Sequence, residues 1–322
     1  MLLDKAGEKN REQVRRDKHD ELFKQLLETF FYEFINLFFP QVGRLMDPDH
    51  LEFRPQEIIT DVLDKEKHVV DILVETRLKD EEGLILVHVE NQSQRVPDYN
   101  RMMFKYFARL HEKHQRKILP IAVYAHDAGV EEEDRFRISF SFLDVLEFRF
   151  FKVQLRKESW RDYIGSNNPV AAALLSKMNF SAEEKVSVKI EFARMLANMR
   201  LDLVRNTLLT AFFETYLRLD EAEEQKYRER LPRELKPEEV RNFMEITTSY
   251  HQQGREEGIK EGIKEGIKEG IKEGIKEGKR EVALAALKKG LALEDIMEIT
   301  GLDRENLLEI QKDSAAAGSG DQ

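Results

Sequence analysis

The sequence of 322 residues contains no cysteine. This absence excludes disulfide bonds, zinc sites with cysteine ligands and a thiol nucleophile. The polar N-terminus has no apolar stretch that could act as a secretory signal, and the sequence has no run of about 18 apolar residues that could span a membrane. We therefore expect a cytoplasmic protein.

Two common phosphate-binding motifs are also missing. The sequence has neither a GxxxxGK(S/T) loop nor a GxGxxG motif after a predicted strand, and so gives no support for an NTPase or a dinucleotide-dependent enzyme. The formal net charge is -10, which argues against nucleic-acid binding over the whole protein surface. The segment from Arg95 to Lys117 is a local exception, because it has seven Lys or Arg against two acidic residues.

The spacing of apolar residues predicts an α/β core in the N-terminal half of the chain. Its expected order is helix, three strands, helix, strand. The predicted elements are a helix at Asp17–Phe39, strands at Ile58–Thr60, His68–Thr76 and Leu84–Asn91, a helix at Tyr99–Lys117 and a strand at Ile118–Ala125, with Val145–Leu155 as an edge strand.

From Asn168 onward the pattern predicts helices almost throughout. The expected helices are Ala171–Met178, Glu183–Met199, Leu201–Leu219 and Pro237–Tyr250, followed by short helices between Val282 and Gln311 that break at Gly290 and Gly301. The predicted domain organisation is a polar segment (1–16), the core (17–165), a helical extension (166–253), a repeat helix (254–281), a small helical block (282–313) and a disordered tail (314–322).

Two carboxylates are predicted to meet on the hairpin formed by the second and third strands. If the turn is centred on Asp80 and Glu81, Asp71 lies opposite Glu90, and Gln92 follows on the same face. Adjacent carboxylates repel each other unless a cation neutralises them, and a hard divalent ion such as Mg²⁺ binds oxygen ligands. The alternative is a half-exposed hairpin with ordinary surface acids.

Asp71 followed by Glu90-x-Gln92 resembles the active-site signature of the PD-(D/E)xK nuclease superfamily. The flanking sequence is similar to the recombination-promoting nuclease family, whose members are also called YhgA-like transposases. The motifs that resemble this family are His19-Asp20-Glu21-Leu22-Phe23-Lys24, His88-Val89-Glu90-Asn91-Gln92-Ser93, Arg101-Met102-x3-Tyr106 and Leu119-Pro120-Ile121-Ala122-Val123. The resemblance covers residues 17 to 127 by motif and, more loosely, the helices up to Gly254.

This resemblance implies a restriction-endonuclease-like core that cleaves double-stranded DNA with Mg²⁺, with Mn²⁺ or Ca²⁺ as other possible ions, in recombination or transposon-like DNA transactions. Asp71 and Glu90 would bind the metal. Gln92 stands where the wider superfamily has lysine and would orient the attacking water. Further candidate ligands are Asp20 or Glu21 and Glu57 or Asp61, although acids at helix starts and turns are common. The alternative function is a catalytically weak or inactive nuclease fold that binds DNA or a protein partner.

The predicted helix at Tyr99–Lys117 has cationic residues at steps of four. Arg101, Lys105 and Arg109 form one row, which Lys113, Arg116 and Lys117 extend. Such a row could neutralise several DNA phosphates, and binding would then weaken with salt. The alternative is a solvated helix face without a nucleic-acid ligand.

The tetrad Gly-Ile-Lys-Glu repeats from Gly258 to Glu277. A period of four on a helix of 3.6 residues per turn makes the Ile positions drift around the helix. The glycines lower the intrinsic helix propensity but allow a second helix to approach closely. We therefore expect a homo-oligomer through this helix, with a flexible charged tether as the alternative.

Overall fold

The computed structural model describes residues 21–54, 58–60, 67–69, 72–79, 81–90, 98–125 and 129–310. The chain divides into two compact units, Met1–Tyr250 and His251–Gln322. The mixed α/β class expected from the sequence is confirmed.

The described strands are β1 (Met46–Arg54), β2 (Ile58–Thr60), β3 (Lys67–Val69), β4 (Ile72–Leu78), β5 (Glu81–Glu90), β6 (Ile118–Tyr124), β7 (Arg135–Phe140), β8 (Leu143–Arg149) and β9 (Phe151–Gln154). The largest sheet has the order β1-β4-β5-β6-β9, and β2–β3 and β7–β8 form separate two-stranded sheets. In the largest sheet β1, β4 and β5 pair antiparallel, whereas β5, β6 and β9 pair parallel.

Residues 21–29 are helical (α1), and the other described helices are α2 (Phe31–Phe38), α3 (Pro40–Gly43), α4 (Tyr99–His114), α5 (Pro169–Leu174), α6 (Lys185–Asn198), α7 (Leu203–Tyr216), α8 (Glu221–Glu234), α9 (Pro237–Lys288), α10 (Leu293–Thr300) and α11 (304–310). None of the helices within the described ranges combines the length and the apolar character that a membrane crossing requires.

The central strands of the large sheet are buried on both faces. Val74, Ile121 and Val123 pack against the helical layer made by α1, α2 and the helices after β9. On the opposite face, Leu73, Ala122 and Tyr124 pack against α4. Strands covered on both sides read as nearly continuous apolar runs, which is why β4 and β6 were recognisable in the sequence.

The helical layer joins the first helices of the chain to much later ones. The rings of Phe23 in α1 and Phe212 in α7 have centroids 4.9 Å apart. The Asn168 side chain, which caps α5, donates from Nδ2 to the carbonyl oxygen of Glu33 in α2 at 2.9 Å. The phenylalanine-rich N-terminal helices therefore acquire their apolar environment from residues that come late in the sequence.

Phe213→Ala is expected to destabilise the first unit by about 3–5 kcal/mol, the usual range for a buried phenylalanine replaced by alanine. Phe213 is fully buried, and its ring stacks on Phe192 with centroids 3.9 Å apart. Urea unfolding followed by circular dichroism measures the loss. Val204→Ala, at a position of the same helix that is 77% exposed, is the control and is expected to change the free energy of unfolding by less than about 0.5 kcal/mol. Equal losses for both variants would contradict the packing described here.

The predicted register of the β4–β5 hairpin was wrong by two residues, because Leu73 pairs with Leu86 and not with residue 88. The expectation that Asp71 lies opposite Glu90 was derived from the predicted register and loses that basis, although Asp71 itself lies outside the described residues. Leu78 pairs with Glu81 and Ile72 with Val87, so the turn is centred on Lys79 and Asp80 rather than on Asp80 and Glu81. Lys79 has φ +52°, a left-handed conformation that a lysine rarely adopts. The sequence carried no Asn-Gly or Asp-Gly signal at this position, and so the turn was misplaced.

Other predicted boundaries also need correction. No strand was predicted between Phe39 and Ile58, but the segment around Pro48 lies within β1, whose register shifts between Met46 and Leu51. Proline is tolerated in an outer strand and at such an irregularity. The predicted strand His68–Thr76 is divided between β3 and β4, and Val145–Leu155 between β8 and β9.

Two corrections concern the helices of the C-terminal half. Helix α8 was not predicted, because only Tyr227 and Leu231 of its 14 residues are buried. Its signal was the capping box formed by Asp220 and Glu223, each of which binds a backbone N–H group at the helix start. The helix predicted to end at Tyr250 continues to Lys288 and includes the tetrad repeat.

The second unit has a small apolar core of its own. Ala283 near the end of α9 packs with Ile296 of α10 and with Leu307 and Ile310 of α11. The predicted breaks are confirmed, because Gly290 and Gly301 have φ +74° and +65° and lie between helices. Glycine ends a helix readily in this conformation because it has no Cβ atom.

Candidate nucleic-acid interface

The C-terminal end of β5 lies beside the first turn of α4. The Cα partner of Glu90 in the parallel neighbour β6 is Tyr124. The ring of Tyr124 packs against Tyr99, the first residue of α4, with centroids 4.9 Å apart. The backbone of Glu90 is therefore placed next to the start of the cationic helix.

The alternation of β4 and β5 assigns this strand end to one face of the sheet. Leu73 belongs to the apolar cluster beneath α4, and its Cα partner is Leu86. Positions two apart in a strand share a face, so the alternation of β5 assigns positions 86, 88 and 90 to the same face of the sheet. That side is the one covered by α4.

Several predicted site residues lie outside the described part of the chain. They are Asp20, Glu57, Asp61, Asp71 and Gln92. Glu90 is described only as a backbone position of β5, and Glu21 is an exposed residue of α1 whose Oε1 accepts a hydrogen bond from Gln25 Nε2 at 3.1 Å. Within the described residues, no three His, Cys, Asp or Glu side chains are grouped closely enough to hold a metal ion. The predicted metal ligands stay a prediction.

Helix α4 presents two different faces. Its buried residues are Tyr99, Met103, Tyr106 and Leu110, which contact the sheet side. Among the predicted DNA-binding residues, Arg101, Lys105 and Lys113 are exposed and Arg109 is half-buried. The helix therefore directs most of its cationic row away from the core, as a phosphate-binding surface requires.

Arg116 belongs to an ion-pair network of the fold and does not extend the cationic row as the sequence suggested. Its guanidinium and that of Arg54 in β1 both donate hydrogen bonds to the carboxylate of Glu75 in β4. The bond from Arg54 and then that from Arg116 hold the pKa of Glu75 below its ordinary value near 4.5. This network joins the outer strand, a central strand and the segment after α4.

Glu75→Gln is expected to remove a stabilisation that depends on pH. Because the pKa of Glu75 is lowered in the folded state, its contribution is complete above the unfolded-state pKa and is lost as the pH falls through the folded-state pKa. The free energy of unfolding of the wild type should exceed that of the variant by about 1 kcal/mol near pH 7. This difference should shrink toward about pH 3. Urea unfolding at both pH values measures it, with the exposed Glu112→Gln as control. A difference independent of pH would contradict the assignment.

A hairpin that the sequence analysis did not predict is attached to α4. The rings of Phe136 in β7 and Phe148 in β8 pack on Phe104 of α4, with centroids 5.3 and 5.6 Å away. Asn100 Nδ2 donates to the carbonyl oxygen of Arg135 at 2.9 Å, and the Arg101 guanidinium lies 5.7 Å from the centroid of Phe136. The only sequence signal was the alternation of apolar residues from Phe136 to Phe148.

Comparison with known proteins adds one finding to this geometry. Residues 17–226, about two thirds of the chain, match the sequence profile of a family described as "Putative transposase, YhgA-like". No curated protein and no solved structure shows significant similarity to the chain.

Proposed function

The chain belongs to the YhgA-like transposase family, and from this premise we propose that it is a metal-dependent DNA endonuclease that hydrolyses phosphodiester bonds in recombination or transposon-like DNA transactions. The observation that carries the proposal is the position of Glu90 at the end of β5, next to the start of α4. The proposal requires the Glu90 carboxylate to lie on the side of the sheet that α4 covers.

The order of elements is consistent with a restriction-endonuclease-like core. Helices α1 and α2 precede the antiparallel strands β1, β4 and β5, and α4 connects β5 to its parallel neighbour β6. Parallel neighbours need such a crossover, and here the crossover is the cationic helix itself. The proposal requires Asp71 and Gln92 to lie on the face that α4 covers.

The donor set suits a hard divalent cation, because carboxylate and amide oxygens are the ligands that Mg²⁺, Mn²⁺ and Ca²⁺ accept. Asp71 and Glu90 would hold the ion, with Asp20 and Glu57 as candidate additional ligands. When bound, such an ion polarises the scissile phosphate and stabilises its developing negative charge.

Hydrolysis consumes one water molecule for each bond broken. The water oxygen forms a bond to phosphorus, the bond from phosphorus to one deoxyribose oxygen breaks, and a proton goes to the leaving oxygen. The Gln92 amide could hold the attacking water through a hydrogen bond, but it cannot share positive charge with the transition state. Arg101, Lys105, Arg109 and Lys113 would bind phosphates that flank the cut.

Gln92 also favours a second candidate function, a nuclease fold that binds DNA without cutting it. The neutral amide in place of lysine removes one source of transition-state stabilisation. Both functions require DNA binding by α4, and only the first requires a divalent ion and turnover.

Self-association through the repeat is a further part of the proposal. The repeat lies within the continuous helix α9, and Ile267 in it is 58% exposed. An exposed isoleucine beside glycine positions is suited to close packing of a second helix. Sedimentation of the full chain at several concentrations tests this, and a monomer throughout would contradict it.

The decisive experiment is incubation of the purified full chain with supercoiled plasmid DNA and Mg²⁺. The endonuclease predicts nicked and then linear products, which EDTA prevents and fresh Mg²⁺ restores. DNA binding without products would select the binding module. Cleavage that persists in EDTA would contradict the metal-dependent mechanism.

A further inference from the structure

The hairpin β7–β8 ends in a cluster of exposed apolar side chains. Phe140 pairs with Leu143, so only Ser141 and Phe142 connect the two strands. Phe142 is 83% exposed and Phe140 61%, and their rings stack with centroids 5.5 Å apart. Ile138, Leu143 and Val145 are exposed nearby. An apolar group of this size at the surface is typical of a contact with another molecule.

The base of the hairpin, in contrast, is firmly attached. Phe148 is buried against Phe104 and Phe107 of α4, and the face shared by Phe136 and Phe148 covers the helix. The exposed tip therefore has a fixed position relative to the cationic row of α4. The row begins at Arg101, whose guanidinium lies over the ring of Phe136 at the hairpin base.

We propose that the aromatic tip is a wedge that enters between base pairs of duplex DNA bound along α4. This inference rests on the proposed DNA-binding function and adds a mode of recognition to it. Proteins that bend DNA insert Phe, Leu or similar side chains into a base step and unstack it. Phe142 is the leading side chain because it is the most exposed, and Phe140 supports it from behind.

Charge complementarity supports DNA as the occupant of this surface. Helix α4 has four Lys or Arg and one acidic residue, in a chain whose net charge is -10. The arginines of the hairpin are ion-paired instead, Arg135 with Asp134 and both Arg137 and Arg149 with Glu147. An apolar tip next to a locally positive surface suits a ligand with stacked bases and a phosphate backbone.

The acidic run before β7 does not oppose this assignment, because its side chains are engaged at the hairpin base. The Lys152 ammonium bonds to Glu131, and Asn100 Nδ2 donates to Glu133 at 2.6 Å. Asp134 accepts from Arg135 Nε at 2.9 Å, and this bond is the main reason that its pKa is lowered.

The test compares the full chain with its Phe140→Ala/Phe142→Ala variant on a short duplex that contains 2-aminopurine. Ca²⁺ replaces Mg²⁺ in these titrations to limit cleavage. The wild type is expected to raise the 2-aminopurine fluorescence, since an unstacked base is less quenched. The variant is expected to lose most of that fluorescence increase and to bind the duplex at least about 10-fold more weakly. Leu203→Ala/Val204→Ala, which shortens two exposed apolar residues of α7, is the control and should behave as wild type.

The other outcomes are equally informative. If the wild type binds the duplex without a fluorescence increase, or the variant unstacks it equally, the wedge is wrong although DNA binding stands. A variant that changes the sedimentation coefficient but not DNA unstacking would assign the tip to a second copy of the chain. Binding of wild type but not variant to anionic lipid vesicles, without duplex unstacking, would assign it to a membrane surface. Absence of DNA binding altogether would overturn both this inference and the proposed function, whereas duplex unstacking in Ca²⁺ together with no plasmid cleavage in Mg²⁺ would overturn the nuclease alone.

Discussion

Asp71→Asn is expected to lower the rate of Mg²⁺-dependent plasmid cleavage by more than about 100-fold. Loss of a residue that only supports a metal ligand typically costs about 10- to 100-fold, so loss of a ligand should cost more. Asparagine preserves the shape of the side chain and removes its charge, so that the fold is little affected. Initial rates of nicking at several Mg²⁺ concentrations measure the effect, and excess metal should recover part of the activity.

The matched control is Asp49→Asn, which removes the same charge from an exposed position of β1. It should cleave as the wild type does. The Asp71 variant should still bind DNA in Ca²⁺, because the cations of α4 are unchanged. If the two variants cleave equally, Asp71 has no part in the reaction and the site must be sought elsewhere.

The triple variant Arg101→Gln/Lys105→Gln/Lys113→Gln is expected to weaken DNA binding for every duplex sequence. Each phosphate contact contributes about 0.9 to the slope of log affinity against log salt, so the slope should fall in magnitude by about 3. The loss of affinity should be largest at low salt, where release of counterions favours binding most. Fluorescence anisotropy of a labelled duplex between about 50 and 200 mM salt provides both quantities.

A variant of equal charge distinguishes this effect from a general change in net charge. Lys226, Arg228 and Arg233 are exposed on α8, a helix on the other side of the core, and their replacement by glutamine removes the same three charges. Only a small uniform change is expected for that control. Equal slopes for the two triple variants would mean that α4 does not contact the phosphates.

The sequence predicted those elements whose signal is local. The apolar runs of β4, β5 and β6 and the four-residue period of α4 were sufficient to identify the central sheet and its crossover helix. The hairpin turn was misplaced because Lys79 adopts a left-handed conformation, which a lysine in the sequence does not predict. Strand β1 was missed because Pro48 is usually read as a turn residue.

Features that depend on tertiary contacts could not be predicted. Arg116 has the same spacing as the cationic row, and only its contact with Glu75 shows that it serves the fold. The residues from Phe140 to Leu143 look like ordinary core residues in the sequence, yet they lie at an exposed tip. Of Asp71, Glu90 and Gln92, only the backbone of Glu90 lies within the described residues, and their convergence stays a prediction.

The packing of Phe23 on Phe212 has a consequence for how the chain is made. At a synthesis rate of about 5–20 residues per second, α1 leaves the ribosome on the order of 10–40 s before α7 is available to cover it. Throughout that interval a row of phenylalanines is open to chaperones or to neighbouring nascent chains. Contacts so distant in sequence also slow folding. Truncations that end before α7 should therefore aggregate, even when they include every strand of the sheet.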